Sequence, residues 1–257
     1  FRGCAFAVLT DESELVSSGC ACDGAAVGVR ANGKAWLESN HDIFSRCGCA
    51  ISLENQSQAH LLGTNFLGMT QQAVKMDGKS TVRSEGCGFR KNDVSVLLED
   101  GAQFDSTADE FSSSKTGLCL NNSAAVRLRS ARIKKHRFAG AHLSGSQAEL
   151  EGCVFTGNSM AVFADCASKA TVEACEFLDN RTGLKVDNKT VLSASRTLFK
   201  GSSWDAVWGA GESEISLNSC VFRDNRFAVK EDGPCKTRLS EPRFEGKHSA
   251  EHLRYPR

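Results

Sequence analysis

Proline is nearly absent from this chain of 257 residues. The only prolines are Pro234, Pro242 and Pro256, so the first 233 residues contain none. Proline has no backbone N–H to donate, and it is therefore excluded where the backbone is continuously paired. The absence predicts a long stretch of paired backbone, either helix or sheet. The 23 glycines, together with frequent Ser, Asn and Asp, disfavour long helices and leave sheet as the expectation.

An excess of charge is also lacking, because 31 basic residues balance 31 acidic residues. This balance excludes nucleic-acid binding by bulk charge, and we predict no specific nucleic-acid partner. No apolar run approaches the ~18 residues that a transmembrane helix needs. No N-terminal stretch combines the basic start and apolar centre of a signal peptide. These absences predict a soluble, ordered protein.

A repeat of 22 residues runs through the chain, and it is clearest in one column of phenylalanines. Successive members are 22 or 23 residues apart, except for one gap of 44 whose midpoint is Ile133. Going backwards, Cys22 lies one step before the first member. The phenylalanines of the column are Phe44, Phe66, Phe89, Phe111, Phe155, Phe177, Phe199, Phe222 and Phe244.

Each repeat also carries short strand and turn patterns. Apolar pairs such as Val96 and Leu98 are spaced by two, which is the periodicity of a strand. Turn residues such as Asp100-Gly101 follow each pair. One repeat thus contains about three short strands and cannot bury its own apolar face. Stacking repeats in parallel, ~4.8 Å apart, would place like residues above like and fill a central core.

Two segments carry a resemblance to a known family. The run that begins at Gly183 as Gly-Leu-Lys-Val-Asp, and Cys220-Val-Phe-Arg-Asp-Asn, resemble the repeat of the right-handed parallel β-helix in the pectin-lyase-like superfamily. The resemblance implies an all-β solenoid of about 10–11 coils with a 22-residue period. We predict a single β-helix domain over residues 1–257, with coils at roughly 5–245 and a C-terminal tail at 246–257. This fold hosts lyases, hydrolases, epimerases, adhesins and binding modules, so it does not by itself specify a function.

The twelve cysteines allow three interpretations. Cys87, Cys153, Cys175 and Cys220 share one inward column, and we predict that they act as small buried hydrophobic residues. A disulfide between Cys153 and Cys175 on adjacent coils is an alternative. Two Cys-x-Cys motifs suggest zinc, but their sulfurs do not converge in the repeat register. The motifs are Cys20-Ala-Cys22 and Cys47-Gly-Cys49. We therefore predict neither a metal site nor a cofactor.

The cysteines also bear on the compartment. Unpaired thiols favour a reducing environment, so the expectation is an intracellular or organellar location. The opposite interpretation comes from four Asn-x-Ser/Thr sequons, which are typical of secreted glycoproteins but also arise by chance in turns. The sequons begin at Asn55, Asn121, Asn180 and Asn188.

Evidence for a catalytic site is sparse in the sequence. Of the motifs that the resemblance to polygalacturonase-type hydrolases implies, only Arg-x-Lys occurs, at Arg132-Ile133-Lys134. A column of acidic residues follows the first strand of the repeats, where ordinary turn chemistry, calcium binding and acid–base catalysis are the alternatives. Its members are Glu54, Asp77, Glu99, Asp165, Asp187 and Asp232. We predict turn chemistry for this column, no catalytic residue, and a protein that is not an enzyme.

Two surfaces are candidates for binding partners. The outward position of the first strand is apolar in the middle of the chain, which predicts a partner site at Leu97, Cys119, Phe163 and Trp208. Its residues in order are Arg30, Ser52, Lys75, Leu97, Cys119, Ala141, Phe163, Lys185, Trp208 and Lys230. One coil is strongly basic, which predicts either a partly paired solvated face or a site for an anionic partner. The basic coil contains Arg127, Arg129, Arg132, Lys134 and Lys135.

These patterns lead to a ranked functional expectation. The preferred hypothesis is a non-catalytic β-helix that acts as a scaffold or interaction subunit, bound to other protein subunits in a hetero-assembly. The alternative is a polysaccharide lyase or glycoside hydrolase that acts on an acidic polysaccharide. A second alternative is an extracellular carbohydrate-binding or adhesion module.

Overall fold

The computed structural model describes residues 2, 3 and 6–246, and most of the predicted tail lies outside these residues. The chain winds through three parallel sheets of eleven strands each, and every strand pairs with its equivalent in the next coil. The predicted parallel β-helix with a period of about 22 residues is confirmed. Within the described residues there is no helix, and therefore none that could span a membrane.

Sheet 1 takes the first strand of each coil. Its strands are β1 (Phe6–Asp11), β4 (Val27–Asn32), β7 (Cys49–Leu53), β10 (Gln72–Met76), β13 (Val94–Leu98), β16 (Thr116–Asn121), β19 (Ala139–Ser144), β22 (Met160–Asp165), β25 (Thr182–Val186), β28 (Asp205–Ala210) and β31 (Phe227–Asp232).

Sheet 2 takes the second strand of each coil. Its strands are β2 (Glu14–Ser18), β5 (Trp36–Asn40), β8 (Gln58–Leu62), β11 (Thr81–Glu85), β14 (Gln103–Thr107), β17 (Ala125–Arg129), β20 (Gln147–Glu151), β23 (Lys169–Glu173), β26 (Val191–Ser195), β29 (Glu214–Asn218) and β32 (Lys236–Ser240).

Sheet 3 takes the third strand of each coil. Its strands are β3 (Ala21–Asp23), β6 (Ile43–Ser45), β9 (Asn65–Leu67), β12 (Gly88–Arg90), β15 (Glu110–Ser112), β18 (Arg132–Lys134), β21 (Val154–Thr156), β24 (Glu176–Leu178), β27 (Leu198–Lys200), β30 (Val221–Arg223) and β33 (Arg243–Glu245).

The phenylalanine column forms a stack of rings on the inner side of sheet 3. Ring centroids of neighbouring coils are 4.7 Å apart between Phe89 and Phe111, and 5.4 Å apart between Phe44 and Phe66. Ile133 interrupts the stack, as its position in the repeat predicts. The rings have the spacing of the strands because each phenylalanine is the middle residue of a three-residue strand. On the two sides of Ile133, the stack aligns nine of the eleven coils.

Asparagines of the turn between sheet 3 and sheet 1 form a second buried column. The Asn180 side chain accepts a hydrogen bond of 2.9 Å from the backbone N–H of Asn158 and donates one of 2.9 Å to the carbonyl of Phe155. Asn158 makes the equivalent bonds to His136 and Ile133. These side chains satisfy backbone groups that the turn leaves unpaired. Because Asn180 is fully buried, its sequon is inaccessible.

The length of this turn shifts the register of sheet 1 at three places. Three residues join β15 to β16, whereas four join β9 to β10, β18 to β19 and β27 to β28. In the last two of these turns the fourth residue is Phe138 or Trp204, and both side chains are exposed, by 37% and 44%. These two turns thus project an aromatic ring beside sheet 1.

Candidate functional site

The outer face of sheet 1 carries one outward column, defined by the aligned strands. Its residues are Arg30, Ser52, Lys75, Leu97, Cys119, His142, Phe163, Lys185, Trp208 and Lys230. The prediction of Ala141 in this column is wrong. Ala141 is fully buried and points inward, because the additional Phe138 moves the outward position to His142.

Most cations of the column have an acidic partner at the neighbouring edge of sheet 1. Arg30 pairs with Glu54 at 2.6 Å, and Lys230 pairs with Asp232 at 3.0 Å. Lys75 lies 4.0 Å from carboxylate oxygens on both sides, those of Asp77 and Glu99. The predicted acidic column is thus aligned beside sheet 1, and part of it neutralises the outward cations.

His142 and Asp165 form the polar centre of this face. His142 Nε2 lies 3.7 Å from Asp165 Oδ2, which is too long for a hydrogen bond. The imidazole stacks on Phe163 with centroids 4.8 Å apart, and the edge of Phe138 meets it at 5.6 Å. His142 Nε2 and Asp165 Oδ1 are shielded from solvent and make no hydrogen bond. Buried polar atoms without partners are rare in folded proteins, so this pair has capacity for a ligand group.

Lys185 occupies the next strand and is held by aromatic rings on both sides. Its Nζ lies 4.7 Å from the ring centroid of Phe163 and 4.5 Å from that of Trp208. Trp208 is itself fixed by a 2.8 Å hydrogen bond from Nε1 to Asp232. Within the described residues, Lys185 forms no ion pair. Cation–π contacts position the ammonium group and leave its charge without a carboxylate.

The edge of sheet 1 that faces sheet 3 is basic. Arg137 and Arg181 are exposed in its turns, and neither pairs with a carboxylate in the described part of the chain. The guanidinium carbon of Arg181 lies 3.7 Å from the centroid of Trp204. Phe138 and Trp204 precede β19 and β28, so they stand at either end of the stretch from His142 to Trp208. That stretch covers four strands, or about 14 Å.

The predicted basic coil does not form one surface. Arg127 and Arg129 lie on sheet 2 and pair with Glu149 at 2.5 Å and Glu151 at 3.9 Å. Lys134 lies on sheet 3 and pairs with Glu110 at 3.2 Å. Arg132 is on sheet 3 and Lys135 in the following turn, both exposed. Charge alternates across sheet 2, since Arg127 is aligned between Asp105 and Glu149.

The remaining residues of the predicted apolar stripe are half-buried. Leu97 and Cys119 lie in the outward column before His142, and Phe163 and Trp208 lie after it. Burial is the main cause that raises the pKa of the Cys119 thiol, and the Glu99 carboxylate adds to it. The thiol is therefore protonated at neutral pH and is a poor nucleophile.

Apart from Cys22, the cysteines in the described residues are free thiols. Cys87, Cys153, Cys175 and Cys220 are buried in the core, as predicted. Of the two Cys-x-Cys motifs, only Cys22 and Cys47 approach each other, with sulfurs 3.9 Å apart. No group of three or more metal-ligating side chains converges in the part of the chain that the structure describes.

His142 is not among the residues predicted from the sequence, and Lys185 was predicted to lie in the outward column but not to bind a partner. The signal for His142 was the step of 23 residues from Leu120 to Leu143, the equivalent inward positions of β16 and β19. A fixed step of 22 placed Ala141 outward instead. The sequence places Lys185 between Phe163 and Trp208 in the outward column, but it does not show that Lys185 lacks an ion pair, because ion pairing depends on side-chain geometry.

Comparison with known proteins identifies the repeat. The family described as right handed beta helix region matches residues 107–240. A search of the curated proteins gives no match. Among solved structures, the periplasmic alginate epimerase AlgG is similar with a TM-score of 0.62 and 10% identity, over 91% of this chain and 77% of that one. This similarity confirms the predicted pectin-lyase-like β-helix fold.

Two further structures match at lower TM-scores. The catalytic unit of a GH87 alpha-1,3-glucanase from Streptomyces thermodiastaticus has a TM-score of 0.45 and 10% identity, over 95% of this chain and 62% of that one. The surface protein and adhesin PfbA of Streptococcus pneumoniae has a TM-score of 0.31 and 8% identity, over 94% and 91%.

The preferred hypothesis of a non-catalytic scaffold subunit is wrong in the light of these comparisons. A solved structure with a clear likeness in fold is that of an enzyme, the periplasmic alginate epimerase AlgG. At 10% identity the likeness extends to the fold alone, so the site must be argued from this chain's own residues.

Proposed function

We propose that this chain, a member of the right-handed β-helix family, binds an acidic polysaccharide along the outer face of sheet 1 and cleaves it there. The observation that carries the proposal is Lys185. Other cations of the outward column have carboxylate partners, whereas Lys185 has only the rings of Phe163 and Trp208. A positioned cation without a counter-ion is suited to the carboxylate of a uronic acid.

The surroundings of Lys185 support a chain-like ligand. Arg137 and Arg181 border the same four strands with unpaired positive charge. Phe138 and Trp204 add exposed aromatic surface at the two ends. Apolar ring surface combined with a few directed polar groups is typical of small-molecule and sugar sites. The elongated shape of the face suits several consecutive sugar units lying along the helix axis.

The pair His142 and Asp165 supplies groups suited to proton transfer. Cleavage of a glycosidic bond requires a base to take a proton and an acid to protonate the leaving oxygen. An imidazole can perform either role, and the Asp165 carboxylate lies 3.7 Å from His142 Nε2 as a second proton-transfer group. His142 is two strands from Lys185, about 10 Å away. In the proposal, Lys185 anchors a carboxylate of the same sugar chain at a distance from the bond that reacts.

The test is the Lys185→Met variant, titrated calorimetrically with a uronic-acid hexasaccharide. We expect binding to weaken at least about tenfold, or ~1.4 kcal/mol, because the unpaired charge is removed while the rings retain an apolar side chain between them. Lys200→Met is the matched control, because this exposed lysine lies on sheet 3 and its loss changes net charge equally. Its affinity should stay within about twofold of the parent.

The His142→Asn variant separates cleavage from binding. We expect it to bind the hexasaccharide with nearly the parent affinity and to lose product formation by at least about a hundredfold. Product release is followed by chromatography over a panel of uronic-acid polymers. Absence of turnover by the parent protein on that whole panel contradicts the catalytic part of the proposal. Equal affinity of the Lys185→Met and Lys200→Met variants contradicts the binding part.

A further inference from the structure

A groove of 240 Å³ crosses the outer face of sheet 2, away from the sheet 1 site. Its floor is Ala125, which is aligned between Gln103 on β14 and Gln147 on β20. Because alanine ends at Cβ, the column of outward side chains has a gap one strand wide. The two glutamines are therefore about 10 Å apart across the gap.

The side chains around this gap have unused hydrogen-bonding capacity. Neither the Gln103 nor the Gln147 amide bonds to another described residue. Each amide offers an acceptor oxygen and two N–H donors. Thr171 and Lys169 extend the polar wall on β23, the next strand of the sheet. Groups on both sides of the groove can thus donate and accept simultaneously.

The charges that line the groove cancel. Asp105 and Glu149 are acidic, and Arg127 and Lys169 are basic. Arg127 and Glu149 already neutralise each other through a 2.5 Å ion pair. A ligand of either sign would meet as much repulsion as attraction here. The lining instead suits an uncharged ligand with many hydroxyl groups.

We infer that this groove is a second binding site, which takes one ring of an uncharged sugar chain. Its volume is below the ~300–1,000 Å³ of sites for drug-sized ligands, which matches a single ring. In this arrangement the ring lies over Ala125, and its hydroxyl groups bond to the amides of Gln103 and Gln147. The residues of this site are different from those of the sheet 1 face, and the inference does not depend on the function proposed for that face.

The experiment titrates the full chain with two uncharged probes, the α-1,4-linked and β-1,4-linked glucose hexasaccharides. Ala125→Leu fills the groove, and Gln147→Ala removes one amide while leaving the groove open. We expect at least one probe to bind the parent protein, and both variants to weaken that binding by about tenfold or more. Gln58→Leu is the control, because it introduces a leucine in the same outward column three strands away from Ala125.

The outcomes separate this site from the sheet 1 face. Binding of an uncharged probe that is lost in Ala125→Leu but kept in Lys185→Met supports the inference. If neither probe binds at millimolar concentration, the inference is overturned. It is also overturned if Ala125→Leu and Gln58→Leu bind equally, or if the uronic-acid hexasaccharide is the ligand whose binding Ala125→Leu removes.

Discussion

His136 occupies a position that asparagine holds in several other coils. It lies two residues after Lys134 in the turn to sheet 1, is buried, and has no hydrogen-bond partner for either ring nitrogen. Burial lowers the pKa of His136 to about 4 from its usual value of 6.5. The folded protein therefore keeps the imidazole neutral, whereas the unfolded chain binds a proton as the pH falls below 6.5. The contribution of His136 to the free energy of unfolding is therefore constant above that pH, and the protein becomes less stable as the pH falls from 6.5 to about 4.

Replacing His136 with asparagine tests this assignment. We expect His136→Asn to complete the asparagine column, with its amide placed like those of Asn158 and Asn180. Between pH 7 and pH 5 the parent should lose about 2 kcal/mol more unfolding free energy than the variant, measured in urea. Equal pH dependence of the two proteins would show that His136 does not control acid stability.

Asp109 has the opposite sign of pH dependence. Burial raises the pKa of this carboxyl to about 6, although hydrogen bonds from Ser106 and from the backbone of Cys87 partly offset the effect. In the unfolded chain, Asp109 ionises near its usual pKa of 3.8. The folded state therefore loses stability as the pH rises from 3.8 to about 6. His136 and Asp109 therefore oppose each other over the mildly acidic range.

At the scale of the element, the phenylalanine stack holds successive coils in register. Phe177 lies 4.9 Å from both Phe155 and Phe199, measured between ring centroids, and is fully buried. Its removal leaves a cavity between two coils that their backbone hydrogen bonds prevent from closing. The stack thus contributes both apolar burial and ring contact to each junction between coils.

We expect Phe177→Ala to lower the free energy of unfolding by about 3–5 kcal/mol. Val191→Ala on the exposed face of β26 is the comparison, and its effect should stay within about 0.5 kcal/mol. Urea unfolding followed by circular dichroism measures both. A loss below about 1 kcal/mol in Phe177→Ala would contradict the role given to the stack.

The elements were predictable because their signal is local and periodic. The phenylalanine spacing gave the third strand of most coils, and Ile133 could be placed from the same spacing. The outward position at His142 could not be placed by a fixed period, since one additional turn residue, Phe138, reverses which side chains face outward. The asparagines were recognised as turn residues, but their burial depends on stacking between coils.

At the scale of the whole molecule, the sequence predicts the solenoid but not where its surface is chemically distinct. Lys75 and Lys185 occupy the same position of the repeat, in the outward column of sheet 1. The side chain of Lys75 nevertheless has two acidic neighbours, whereas that of Lys185 has two aromatic ones. The basic coil looks continuous in sequence, but its residues are divided among different faces because each coil turns through three sheets. Surface function in such a fold is a property of neighbouring coils, which are 22 or 23 residues apart in sequence.

Amide hydrogen exchange of the full chain, with and without a uronic-acid hexasaccharide, tests directly whether the acidic polysaccharide binds on sheet 1. We expect slower exchange in β19, β22, β25 and β28 and in the turns that carry Phe138 and Trp204. We expect little change in the exchange rates of β17, β20 and β23 of sheet 2. Protection confined to sheet 2 or sheet 3, or no protection at saturating ligand, would contradict the assignment of the acidic polysaccharide to sheet 1.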